Sequence, residues 1–577
     1  MSEKSLDKKV PEKIQRLVQE RRKVFSLPAE KALDRILDAP HPAALVHSFP
    51  EEDLYLLVKD IGPEDALPLL SMASDRQREF IFDMEIWDRD RIDTRSTEQW
   101  VSLFYHADPA SLTRWFMEHP TDLAEYFLFQ NIEIRIREHD QDPSDFGDDF
   151  FSVDNTFFVR LLTAPGESKG IGEDKRSMLL QLLNRMADYD HLRYQKILLE
   201  IGSAVIPSEY EEEAYRMRNV RLAEKGFLPF EEAVSIYRPL TPGDFKAHAE
   251  KHVRLKPPED APVPVPLYLS GKLTTGSLFA RALKQVHDPE KLEPIQIEFA
   301  SLCNRIAVAD SGTIKDRRAL EAVVQKACGY LDIGLESITG EDRQADGVLS
   351  AALIIKHPLF QIFRVGYGFA VEMKRQAEAW RKSSWAESGG LPLTFWGEAW
   401  LGVVGGLLVK RPLYFDNYET GALYREFATL ADVHKTEGML HSLTAFDALL
   451  SGMEIRLPTF AAPVPLSYKN LVLTLWARHY LGIAEPFGPI NLTDFKRFFD
   501  DLWIESDRPR RIRNTMKEIF LAWLSDRSGI LKEDISTTLG PTLEALFLEI
   551  ESEYGKVSKS DLDPRYVQLF LLTGKNP

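Results

Sequence analysis

With 577 residues, 44% of them hydrophobic and 11% aromatic, the chain has apolar surface for several packed units, which excludes disorder over most of its length. A formal charge of -18 argues against phosphate-backbone binding as a main role, because neutralising phosphates takes clustered Lys and Arg, and no nucleic-acid partner is expected. Two cysteines, Cys303 and Cys328, are too few for a disulfide framework or a four-cysteine metal site and suit a reducing compartment.

The opening "MSEKSLDKKVPEKIQRLVQERRKV" is charged throughout and lacks the apolar run of a signal peptide, so residues 1–27 read as a basic helical extension. Next, in "DLYLLVKDIGPEDALPLL", Leu54, Leu57, Val58 and Ile61 have the i, i+3, i+4, i+7 spacing of one helix face. Gly62 ends that helix and Pro63 suits the start of another, where a missing N–H costs little. Pro68 is awkward there and implies a kink or a shorter helix. Ser74 with Gln77 and Ser96 with Gln99 match the capping box, and Asp108-Pro109 reads as an N-cap followed by proline. Helix starts near Glu51, Pro63 and Asp75, then near Thr97, Pro109 and Thr121, are each twelve residues apart. The triplets Trp100, Leu103, Phe104 and Leu112, Trp115, Phe116 supply apolar faces that one short helix cannot bury alone, which suggests a solenoid-like superhelix over residues 28–135.

The block "HPAALVHSFPEEDLYLLVKDIGPEDALPLL" resembles the helical N-domain of MgtE-type magnesium transporters, in which short Pro-started helices stack into a superhelix. The likeness covers about residues 28–130 and does not imply transport.

Residues 136–155, "REHDQDPSDFGDDFFSVDN" with the residue before it, read as an exposed acidic loop. Helical patterns fill 156–254, the Pro-rich run within 255–275 reads as a stiff extended linker, and 276–577 reads as a C-terminal helical domain. No alternating run or Asn-Gly turn points to a sheet, so the expected class is all-α. The stretches "RLAEKGFLPFEEAVSIYRPL", "FRVGYG" and "GGLLVKRPLYFD", in that order and spacing, resemble an uncharacterised bacterial family of unknown function of similar length. That resemblance implies no activity and no catalytic residues.

Candidate chemistry is sparse. Asp142, Asp145, Asp148 and Asp149 offer oxygen ligands for a hard cation such as magnesium, but a calcium loop begun at Asp142 places Val153 where a bidentate Glu is needed. A solvated surface is the plainer account, and no cofactor is expected. His248 and His252 share a helix face without a third ligand or the glutamate of a zinc peptidase. The glycines of "GYGFAV" and "GVVGGLLVK" lack the endings that cradle phosphate and suit close packing instead. In "RPRRIR", Arg508–Arg513, the expected role is a charged helix start with Ile512 inward. Both cysteines sit among apolar residues, as buried inert thiols do.

The aromatic, glycine-rich "FWGEAWLGVVGGLLVKRPLYFDNY" reads as the core of the C-terminal domain. Its functional alternative is a ligand pocket in which Glu398 is a desolvated acid flanked by Lys410 and Arg411. The expected function is that of a non-enzymatic cytoplasmic helical-repeat protein that binds another protein and does not insert into membranes. The alternative is an enzyme or small-ligand binder using the Glu398, Lys410 and Arg411 region.

Overall fold

Proline and small polar residues set the helix starts along the first part of the chain. The Ser74 side chain accepts the Gln77 amide while the Gln77 side chain accepts the Ser74 amide at 2.9 Å, closing the capping box of the Asp75–Glu85 helix. Asp108 accepts the Ala110 and Ser111 amides at 3.0 and 3.1 Å and so caps Pro109–Glu118. Ser96 is not a cap. The Thr94–Ala107 helix begins earlier because Asp93 accepts the Ser96 amide at 2.8 Å. The helix expected from Pro63 begins at Leu67 and runs only to Ser71. Gly62, at φ +108°, and the turn after it take up the intervening residues, and Pro68 falls in the first helical turn.

This computed structural model describes residues 16–573 apart from 89, 119–121, 139–140, 148, 163–168, 204–206, 226, 248–275, 311–316, 343, 456–464, 484–486 and 505–509. His248, His252 and the Pro-rich segment therefore lie outside the described residues, as do Asp148 and Arg508. The chain is all-α and divides into two compact units, Met1–Val365 and Gly366–Pro577, with the division inside the Leu359–Ser383 helix.

In the first unit, Leu54, Leu57 and Val58 of the Glu51–Ile61 helix are buried as their spacing indicates, and Ile61 is half-buried. Tyr55 and Leu56 are buried as well, so this helix is covered on more than one side, with Ala29–Leu37 and Asp75–Glu85 among its neighbours. Charged residues fasten a later helix, Pro207–Glu224, to these early ones. Arg221 makes a bidentate pair with Asp83 at 2.8 and 2.7 Å, and Lys225 reaches Glu51 at 2.7 Å and Glu52 at 3.1 Å.

The acidic segment is not a plain loop. Ile132–Ile136, Phe157–Leu161 and Phe150–Ser152 form a three-stranded antiparallel sheet in that order. Its turn is built by the acids themselves: Asp154 accepts the Thr156 and Phe157 amides, each at 2.9 Å, and Asn155 takes φ +57°. Phe146 stacks on Phe158 at 4.0 Å, which supplies the apolar face that composition alone concealed.

In the second unit the Leu430–Gly452 helix is central, packing on Glu398–Leu408, Asn514–Ser528 and Lys532–Tyr554. Trp476 is fully buried between Phe498 at 5.0 Å and Phe520 at 4.7 Å. A two-residue hairpin, Tyr414–Phe415 with Tyr424–Arg425, lies against the glycines of "GVVGG". A Cβ on Gly406 would sit 2.6 Å from the Leu413 carbonyl oxygen and 2.9 Å from the Tyr424 ring, so that glycine is a packing seat. Arg425 ties the hairpin to Asp416 at 2.7 Å and to Asp432 at 2.8 and 2.9 Å. Ile512 is buried at the start of Asn514–Ser528, as expected. Among the described residues no single helix is long and apolar enough to cross a membrane.

Gly406→Ala is expected to destabilise the second unit by about 1–3 kcal/mol, because the added methyl meets backbone as well as an aromatic ring. A calorimetric midpoint equal to wild type would show that the hairpin yields freely.

A pH dependence follows from Asp432. Burial opposes its ionisation, but hydrogen bonds from Arg425 and the Ala428 and Thr429 amides outweigh that and hold its pKa below the ordinary carboxylate value. A depressed folded-state pKa gives stability that is present above the unfolded value, about 3.9, and is lost as pH falls through the folded one. The loss in melting temperature caused by Arg425→Gln should therefore be largest near neutral pH and narrow below about pH 4. A pH-independent difference would contradict this assignment.

Candidate functional site

The first unit contains an open cleft of about 780 Å³, built where short helices end or begin. Ala43 and His47 come from Pro42–His47, and Ser71 to Asp75 join Leu67–Ser71 to the next helix start. Asp108, Ala110, Ser111, Thr113 and Arg114 belong to the capped start of Pro109–Glu118, and Arg185, Asp188 and Tyr189 close the end of Lys169–Tyr189.

Two of these helix starts are joined by a buried charge. Arg78 is 1% exposed; its Nη1 donates to Asp75 at 3.1 Å and its Nη2 to Ser111 Oγ at 2.8 Å. Its guanidinium also lies over the rings of Phe104, at 5.4 Å, and Trp115, at 5.7 Å. Burial pulls its pKa below the ordinary arginine value and Asp75 opposes the fall; an arginine so placed stays charged.

The remaining charges differ in how far they are committed. Asp75 answers Arg78, and Asp108 is spent on two backbone amides. Arg114, Arg185 and Asp188 are exposed and have no hydrogen-bond or ion-pair partner among the described residues. The Tyr189 hydroxyl donates to Glu118, and that hydrogen bond raises its pKa.

The candidates read from the sequence fall elsewhere. Glu398 is exposed, because Gly397 at φ +78° turns the chain so that Glu398 opens the Glu398–Leu408 helix, where a carboxylate meets solvent and the positive end of the dipole. Lys410 and Arg411 lie beyond the other end of that helix, which at 1.5 Å per residue is roughly 15 Å long. The three side chains do not converge, and the desolvated acid expected at Glu398 is not there. Its neighbours Phe395, Trp396 and Trp400 are buried core, as the plainer account held.

Asp142, Asp145 and Asp149 are exposed. Asp142 turns inward on its own chain, accepting the Ser144 amide at 2.9 Å and hydroxyl at 2.8 Å. Among the described residues no three His, Cys, Asp or Glu side chains are grouped to hold a metal ion. Cys303 and Cys328 are both buried thiols outside any disulfide, and burial pushes the Cys303 thiol pKa up. The cleft itself was missed in the sequence, although the Ser74 and Asp108 caps, two of its corners, were identified. Nothing local announces that Arg185 is brought beside them.

The cleft is of mixed polarity and lies among helix ends of an all-α chain. The chain belongs to the family of unknown function DUF6178, whose family model matches residues 11–573. No curated protein and no solved structure matches the chain, and the likeness of residues 28–130 to the magnesium-transporter N-domain finds no support in these comparisons.

Because Glu398 is exposed and outside any converging cluster, Glu398→Ala should change stability by no more than about 0.5 kcal/mol. A loss of 2 kcal/mol or more, on the order expected of a buried paired acid, in thermal unfolding would restore the buried-acid reading.

Proposed function

We propose that this is a binding protein whose first unit docks a segment of a protein partner in the cleft beside Pro109–Glu118. The observation that carries the reading is that the cleft presents two exposed arginines, Arg114 and Arg185, with no partner among the described residues. Apolar side chains dominate the usual enclosed small-molecule pocket. Here hydroxyls and charges at helix ends share the lining with Ala43, Met72, Ala73 and Ala110, and the space is wide and open, which suits an extended segment of mixed polarity better. The acids fixed at the helix starts help to orient such a segment, since charges of both signs line the walls.

The test uses the full chain in its own cells, with a photoreactive phenylalanine analogue at Ala110, an exposed cleft residue, or at Leu531, an exposed position in the second unit. Position 110 is expected to give a discrete adduct that disappears when Arg114→Glu and Arg185→Glu are combined. Adducts that match those from position 531, or that survive the charge reversal, would overturn the reading.

A further inference from the structure

We propose that the cleft recognises an oxyanion, a phosphoryl or carboxylate group carried by the docked segment; this rests on the docking reading above and names the chemistry of what is docked. Arg114 and Arg185 stand on two helices that pack against each other, Pro109–Glu118 and Lys169–Tyr189, and both line the same cleft. A guanidinium presents paired N–H donors in a plane, the geometry that carboxylates and phosphates accept. Neither has an acceptor among the described residues.

Ser111 adds a third donor by a different route. It lies three residues before Arg114, on the same side of one helix. Its hydroxyl oxygen accepts from Arg78 at 2.8 Å, and its own proton has no acceptor among the described residues. A hydroxyl that accepts from a cation is polarised towards donating, and this one lines the cleft. Arg78 is itself buried with Nε unpartnered, so Asp75 and Ser111 leave part of its donor capacity unused.

The acids on the lining leave these donors unoccupied. Asp75 is paired with Arg78, and Asp108, which keeps its charge, accepts two backbone amides, so Asp188 is the carboxylate without a partner among the described residues and the Arg114 and Arg185 donors are still to be met.

Arginine modification of the full-length protein by phenylglyoxal, read residue by residue by mass spectrometry, tests the site directly. Inorganic phosphate and succinate serve as separate probes for the phosphoryl and carboxylate sources. At saturation, one of them should slow modification of Arg114 and Arg185 about tenfold, while exposed Arg375 reacts at an unchanged rate. Arg185→Gln should abolish protection at Arg114, and Arg114→Gln protection at Arg185, because both hold one group. Protection by phosphate alone assigns the phosphoryl source and protection by succinate alone the carboxylate. No protection by either anion, or protection at each arginine that survives loss of the other, overturns the proposal. Specific cross-linking from position 110 with no anion protection would leave the docking reading in place and sink this one.

Discussion

The arrangement of the helices around the cleft turns on the buried guanidinium of Arg78. Taking a guanidinium out of water costs several kcal/mol unless its donors are met, and Arg78, at 1% exposure, meets that cost with Asp75, Ser111 and the faces of two aromatic rings. Those partners belong to three helices, Asp75–Glu85, Thr94–Ala107 and Pro109–Glu118. The charge can be satisfied only when the start of Asp75–Glu85 and the start of Pro109–Glu118 stand at one spacing. The cleft is the space outside that spacing, so its shape is fixed by a group that does not line it.

The same logic recurs wherever a short helix must be held. Helices of five to eleven residues are marginal alone, and here buried polar side chains tie some of them to neighbouring elements. Gln77, whose side chain accepts from the Ser74 amide, also donates at 2.8 and 2.9 Å to the carbonyls of Val46, in the last turn of Pro42–His47, and Phe49, just before Glu51–Ile61. Asp332, with no exposure, accepts the Leu278 and Phe279 amides at 3.1 and 2.9 Å and so caps Leu278–Gln285 from the Arg317–Thr339 helix. Buried polar residues thus do in this chain what long apolar stripes do in a simple bundle: they fix which elements are adjacent.

This explains what could be read in advance. The all-α class and several helix starts were legible because capping is local: Ser74 with Gln77 and Asp108 with Pro109 sit within a few residues of what they satisfy. The small sheet was hidden because its strands are short and its turn is built from Asp154 and Asn155, residues whose charge and polarity read as solvated loop. Glu398 was misplaced for a related reason. An acid within an aromatic run looks desolvated, but one positive-φ glycine before it turns the carboxylate out to solvent while its neighbours go in. The cleft was illegible because Ser111 and Arg185 become neighbours only through packing of helices far apart in sequence.

A chain of net charge -18, with two arginines in one cleft that have no partner among the described residues, combines two fields of different range. Beyond about 8 Å at physiological ionic strength the surface charges are largely screened, and within that range an approaching polyanion such as a nucleic acid meets a chain in which 89 Asp and Glu outnumber 71 Lys and Arg. Within the cleft Arg114, Arg185 and the Ser111 hydroxyl offer donors at hydrogen-bond range, beside the carboxylates of Asp75, Asp108 and Asp188. A compact acidic group on an otherwise neutral segment meets fewer of the surface carboxylates than an extended polyanion does, while the cleft donors act on it only at hydrogen-bond range. The net acidity of the chain therefore restricts what reaches donors that are themselves short in reach.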